Sequence, residues 1–137
     1  MADESQRMMY EARLYAEQLR LLENEIERIS MTAVELSNSL RAVEALKEDS
    51  VFVPIGGGSM VSARISSTEV LVPIGGGYMM NLKKHEAIEE VKKRIASTEK
   101  AVEKLRQEFD KISVKLQDVN GKLDAMNVRF NSAGGKR

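Results

Sequence analysis

Two glycine triplets, Gly56-Gly57-Gly58 and Gly75-Gly76-Gly77, and a lone histidine, His85, are the residues of this chain whose types could do chemistry. A glycine-rich turn cradles phosphate when a Lys-Ser/Thr pair follows it and opens a helix, because backbone N–H groups and the helix N-terminus then converge on the anion. Here Ser59-Met60-Val61 and Tyr78-Met79-Met80 follow, and both read as strands. The triplets are therefore turn residues that supply the positive φ of tight hairpins. His85 has no second ligand at metal spacing, so neither a metal nor a catalytic role follows. It reads as a solvent-facing residue at a helix start. With no nucleophile–base pair legible, the chain does not read as an enzyme, and no cofactor is expected.

Composition narrows the remaining classes. The chain has 137 residues, with 21 basic and 21 acidic side chains, no Cys, no Trp and 4% aromatics. Few aromatics argue against a compact globular core. Abundant Ala, Glu, Lys, Leu and Arg at both ends point to long helices. Zero net charge excludes the basic excess of a nucleic-acid binder. No apolar run is long enough to span a bilayer. Met1-Ala2-Asp3-Glu4-Ser5 has no basic stretch ahead of an apolar one, so no secretory signal is expected. Absence of Cys fits a reducing compartment. A cytoplasmic location is the expectation.

Three segments of one domain position the glycines. Over residues 3–48, Met8, Ala12, Tyr15, Leu19, Leu22, Ile26, Ile29, Ala33, Leu36, Leu40 and Val43 recur in alternating steps of four and three. This heptad places Ala12, Leu19, Ile26, Ala33 and Leu40 at a, and Met8, Tyr15, Leu22, Ile29, Leu36 and Val43 at d. A strict seven-residue repeat winds two helices into a left-handed supercoil. Over residues 84–130, Ile88, Val91, Ile95, Thr98, Val102, Leu105, Phe109, Ile112, Leu116, Val119, Leu123, Met126 and Phe130 repeat the pattern, with Thr98 the one polar member. Gly121 falls at f, away from the seam. Each helix would be roughly 60–70 Å long. Residues 131–137 lose the period and read as a flexible tail. Glu23, Glu25, Glu27 and Arg28 read as a solvated helix face.

Residues 50–81 are different in kind. Val51-Phe52-Val53-Pro54-Ile55-Gly56-Gly57-Gly58-Ser59-Met60 aligns without gaps with Val70-Leu71-Val72-Pro73-Ile74-Gly75-Gly76-Gly77-Tyr78-Met79. Two successive β-hairpins follow, joined by Ser66-Ser67-Thr68-Glu69. Pro54 and Pro73 donate no ladder hydrogen bond, so each belongs at a strand end, an edge or a bulge. The expected fold is α with a small β insert: an antiparallel two-helix coiled coil with two central hairpins. Val43 then lies near Ile88, and Met8 near Phe130. A parallel coiled coil between chains is the alternative. Isolated hairpins are marginal in water, and one coiled-coil end offers them little cover. Val51, Val53, Ile55, Val61, Ile65, Val70, Val72 and Ile74 are therefore expected to drive oligomerisation into a β-barrel hub.

Helix, V-P-I-G-G-G hairpin, V-P-I-G-G-G hairpin, helix resembles the α class of the prefoldins in its archaeal form. The doubled hairpin carries the resemblance, because the β class has one. It covers nearly the whole chain. It implies a hexamer of two α and four β subunits, with coiled coils descending from a double β-barrel. It also implies an ATP-independent chaperone that captures non-native proteins and passes them to a group II chaperonin. Client contacts are then expected where the chain ends meet, at Met8, Met9, Tyr10, Leu14, Leu123, Met126, Val128 and Phe130. Met9, Tyr10 and Val128 lie off the seam, so helix pairing does not require them, and methionine suits promiscuous surfaces. The rival reading is a structural coiled-coil adaptor or tether assembled through a β hub.

Overall fold

The computed structural model describes the backbone of residues 2–134 and the side chains of residues 3–127. The elements run α1 (Ala2–Glu44), β1 (Ser50–Gly56), β2 (Ser59–Arg64), β3 (Val70–Gly75), β4 (Tyr78–Leu82) and α2 (Lys84–Gly134). They form two compact units. One joins α1 up to Met31 with α2 from Glu99 onward, and the other is Thr32–Thr98.

In the first unit the heptad is the packing seam. Met8, Ala12, Tyr15, Leu19, Leu22, Ile26 and Ile29 are half-buried, as are Leu105, Phe109, Ile112, Leu116, Leu123 and Met126 of α2. Val102 and Val119 are buried. The start of α1 is thus grouped with the end of α2, which is antiparallel pairing within one chain, with each apolar stripe buried against the other.

In the second unit the seam continues through half-buried Ala33, Leu36 and Leu40 to buried Val43, and on α2 through Ile88, Val91 and Ile95. Thr98, the polar seam residue, donates its hydroxyl to the Arg94 carbonyl at 2.7 Å, which satisfies it inside its own helix. Val43, Val72 and Ala87 form the core of this unit, and Val70, Leu82 and Ile88 pack against it. The expected proximity of Val43 and Ile88 is found here. At the start of α2 the Lys83 N–H donates to Glu86 Oε1 at 3.2 Å, the return half of a capping box.

Two boundaries differ from expectation. The first helix ends at Glu44 rather than at residue 48. The next seam slot after Val43 falls on Lys47, so no apolar side chain holds another turn. The Leu46 carbonyl, beyond the helix, accepts from Lys84 Nζ at 2.8 Å. The second helix continues past Phe130 to Gly134, so the first residues expected as tail are helical. Extending a formed helix adds one hydrogen bond per residue fixed and needs no seam contact.

Each hairpin is its own two-stranded antiparallel sheet. The registers match, with Val53 opposite Val61 and Val72 opposite Met80, and both slip immediately after proline, between Pro54 and Gly56 and between Pro73 and Gly75. The prolines thus sit beside bulges, as their missing N–H requires. Gly56 and Gly75 have φ of 109° and 103°, a region that side-chain-bearing residues avoid.

The expectation that neither hairpin is covered within the chain is corrected for the second. Val72 is 4% exposed, and the face it shares with Val70 and Leu82 lies on the helices. Ala87 makes this possible, because its single methyl, 0% exposed, lets the strand approach the helix closely. The Arg94 guanidinium donates to the Pro73 carbonyl and is held by Glu90 at 3.4 Å. Asn81 Nδ2 donates to Glu69 Oε2 at 2.7 Å, tying β4 to the connector between the hairpins. Arg94→Ala is expected to loosen the second hairpin by about 1 kcal/mol, the worth of one partly solvated hydrogen bond. Amide exchange over residues 70–82 should accelerate about fivefold while helix content stays constant.

Candidate interaction surfaces

The outward surfaces of the hairpins form the first candidate. On the first hairpin, Phe52 and Met60 lie on one face and are 73% and 63% exposed, while Val53 and Val61 pair on the other and remain exposed. Only its base is partly covered, at Val51, Ala63 and Ile65. Ile55 and Ile74 are exposed near the turns. On the second hairpin Leu71 and Met79 face outward and are exposed, as is Tyr78 after the glycine turn. Of the eight oligomerisation candidates, Val53, Ile55, Val61 and Ile74 offer free apolar surface. Val51, Ile65 and Val70 are half-covered, and Val72 is buried within the chain.

Phe52, Met60, Leu71, Tyr78 and Met79 add exposed apolar surface that single-face alternation does not mark. Val51-Phe52-Val53 and Val70-Leu71-Val72 are unbroken apolar runs, the pattern of strands covered on both faces.

The start of α1 is the second candidate. Met8 is half-buried in the seam, whereas Met9, Tyr10 and Leu14 are 46%, 64% and 46% exposed. Leu123 and Met126 are half-buried seam residues in the same unit. The side chains of Val128 and Phe130 lie outside the described residues. An open groove of about 910 Å³ is lined by Asp3, Glu4, Gln6, Arg7, Met8, Tyr10 and Glu11. Met8 and Tyr10 give it apolar surface among five charged or polar side chains.

Farther along α1, Arg20 Nη2 donates to Glu17 Oε1 and Arg28 Nη2 to Glu25 Oε1, each at 2.5 Å. These bonds hold the Glu17 and Glu25 carboxyls below the usual carboxylate value. The small stabilisation they bring is present above that ordinary value and is lost as pH falls through the lowered one. All four side chains are solvated, so the seam dominates the helix pairing.

His85 is exposed at the start of α2. Among the described residues no cluster of three metal-ligating side chains occurs, and no helix is long and apolar enough to cross a membrane.

Known proteins share this arrangement. The family model for prefoldin subunits matches residues 15–128. A prefoldin subunit alpha of Methanococcus aeolicus is 31% identical over 70 residues, 50% of this chain and 49% of its own length. The match thus spans about half of that relative. A prefoldin subunit alpha 1 of Methanocaldococcus jannaschii is 26% identical over 102 residues, covering 74% of this chain and 72% of the relative. Among solved structures, filamentous prefoldin from Methanocaldococcus jannaschii aligns with a TM-score of 0.69 at 24% identity, over 82% of this chain and 98% of that one. The prefoldin beta subunit from Thermococcus strain KS-1 aligns with a TM-score of 0.64 at 18% identity, over 90% and 91%. These two likenesses concern the fold alone. With the family model spanning both helices and both hairpins, and with α subunits among its relatives, the chain belongs to the prefoldin family as an α-type subunit.

Proposed function

We propose that this chain is a subunit of an ATP-independent chaperone that holds non-native proteins. The family's role is chaperone-like, and the observation that carries the reading is Met9, Tyr10 and Leu14, apolar and exposed although the seam does not need them. Apolar area covered by a client would contribute roughly 25 cal/mol per Å². One such contact is weak. Several arms on one platform raise the effective concentration and turn weak contacts into avidity.

The platform in this reading is a β-barrel hub closed by hairpins of several subunits, two α and four β. The open strand edges and the apolar outward faces of both hairpins support it. Captured clients would pass to a group II chaperonin in the cytoplasm. Neither step needs nucleotide, membrane or nucleic acid.

Truncating residues 1–10 and 128–137 removes no hub residue. The truncated chain, mixed with a β-class subunit, should give a complex of the mass expected for the hexamer. Its suppression of aggregation of an unrelated denatured protein should fall about tenfold, the effect of about 1.4 kcal/mol. Intact mass with undiminished suppression would show that clients bind elsewhere. No suppression by the full-length complex would favour the adaptor reading.

A further inference from the structure

Two exposed apolar residues, Leu21 and Met31, have no part in the seam or the hub. They are 54% and 61% exposed. In the heptad that places Leu19 and Ile26 at a, Leu14 and Leu21 take c, while Tyr10 and Met31 take f. Positions c and f lie together on the face opposite the seam. All four residues belong to the same unit. Single exposed apolar residues are ordinary; on this row four of seven positions are apolar, with Glu17, Asn24 and Arg28 between them, while Val34, 61% exposed, lies off it at b. Over the described part of α2 in this unit, Val114 is the one large apolar side chain comparably exposed.

We propose that the outer face of α1, from Tyr10 through Leu14 and Leu21 to Met31, is a docking strip for an apolar segment of a non-native polypeptide. The inference rests on the chaperone reading above and extends the contact well beyond the chain end.

Charge supports this occupant. The row holds two charged residues, Glu17 and Arg28, and each is paired within the helix, with Arg20 and with Glu25. The strip therefore presents no unbalanced charge to select an acidic or basic partner. Area supports it too. Four partly exposed side chains offer on the order of 300–400 Å². A stable folded partner needs about 800 Å² on each side. The strip is thus too small for a permanent complex and suits a weak contact repeated over several arms. Its length fits as well. Tyr10 to Met31 spans about 31 Å at the helical rise, the reach of roughly ten residues of extended chain. Met31 adds an adaptable thioether that accommodates varied side chains.

The test uses the complex assembled with a β-class subunit. The probe is fluorescein-labelled, reduced and carboxymethylated α-lactalbumin, a permanently non-native chain, and binding is read by anisotropy. Leu21→Gln combined with Met31→Gln alters neither seam nor hub, so mass and helix content should match the parent. Affinity should fall about tenfold, and Val114→Gln should leave it unchanged. Unchanged affinity in the double variant, while the end-truncated chain binds weakly, would overturn the strip and leave the chaperone reading standing. An equal loss in Val114→Gln would overturn it also, since the row would then have no privilege. Higher-order association of the parent that the double variant abolishes, with probe affinity retained, would assign the row to self-contact and overturn the proposal. Absence of probe binding by the parent complex would sink the chaperone reading, and the strip with it.

Discussion

Replacing residues 50–82 with a short turn is expected to abolish assembly while leaving a helical single chain. The helices can be joined directly, because Lys84 already reaches the Leu46 carbonyl at 2.8 Å. What is lost is the apolar surface of the hairpins. Phe52, Ile55, Met60, Leu71, Ile74 and Tyr78 are each more than half exposed. Burying six such side chains is worth on the order of 10 kcal/mol before the costs of association are subtracted. The open edges of two separate two-stranded sheets add backbone groups that a strand of another chain can pair. Light scattering after mixing with a β-class subunit should show no hexamer. A full-size complex from the shortened chain would show that the helices drive assembly.

Val72→Asp is the single substitution with the largest expected effect. Val72 packs with Val43 and Ala87 at 4% exposure, in a core of apolar side chains. An unpaired carboxylate there costs about 3–5 kcal/mol, more than a docked hairpin can supply. The second hairpin should detach, with amide exchange over residues 70–82 approaching that of an unstructured peptide. Val72→Ala, which removes two methyl groups, should cost only about 1.5 kcal/mol. Protection of residues 70–82 that survives Val72→Asp would mean that the Arg94 and Asn81 hydrogen bonds hold the hairpin without the core.

That asymmetry between the hairpins is what the sequence conceals. Val53 and Val72 occupy the same place in the internal repeat, yet Val53 is 42% exposed and Val72 4%. Sequence reports what each hairpin is made of but not what it meets. The second hairpin runs from Leu82 straight into α2, which turns its face onto Ala87. The first hangs from the Lys47–Asp49 connection, and its strand from Val53 onward stays uncovered. The seam was legible almost position by position, because a seven-residue apolar repeat has one geometric solution on a helix. The prolines were legible for a similar reason, since a missing N–H restricts them to bulges and edges. Leu21 and Met31 are not announced by the heptad, because a seven-residue repeat specifies the seam stripe and leaves the opposite face undefined. The latch from Arg94 to Pro73 joins residues 21 apart in sequence, and no local pattern announces such a contact.

The central claim is that weak apolar contacts become effective capture only when several arms share one hub. The measurement that meets it most directly compares aggregation suppression by the assembled complex with suppression by the hub-deleted chain at the same concentration of arms. Both carry identical Met9, Tyr10, Leu14 and Leu21. Avidity through a shared platform predicts at least about a hundredfold advantage for the assembled form. Equal suppression per arm would contradict the account, because each arm would then be a sufficient binding site and the hub would serve something other than capture.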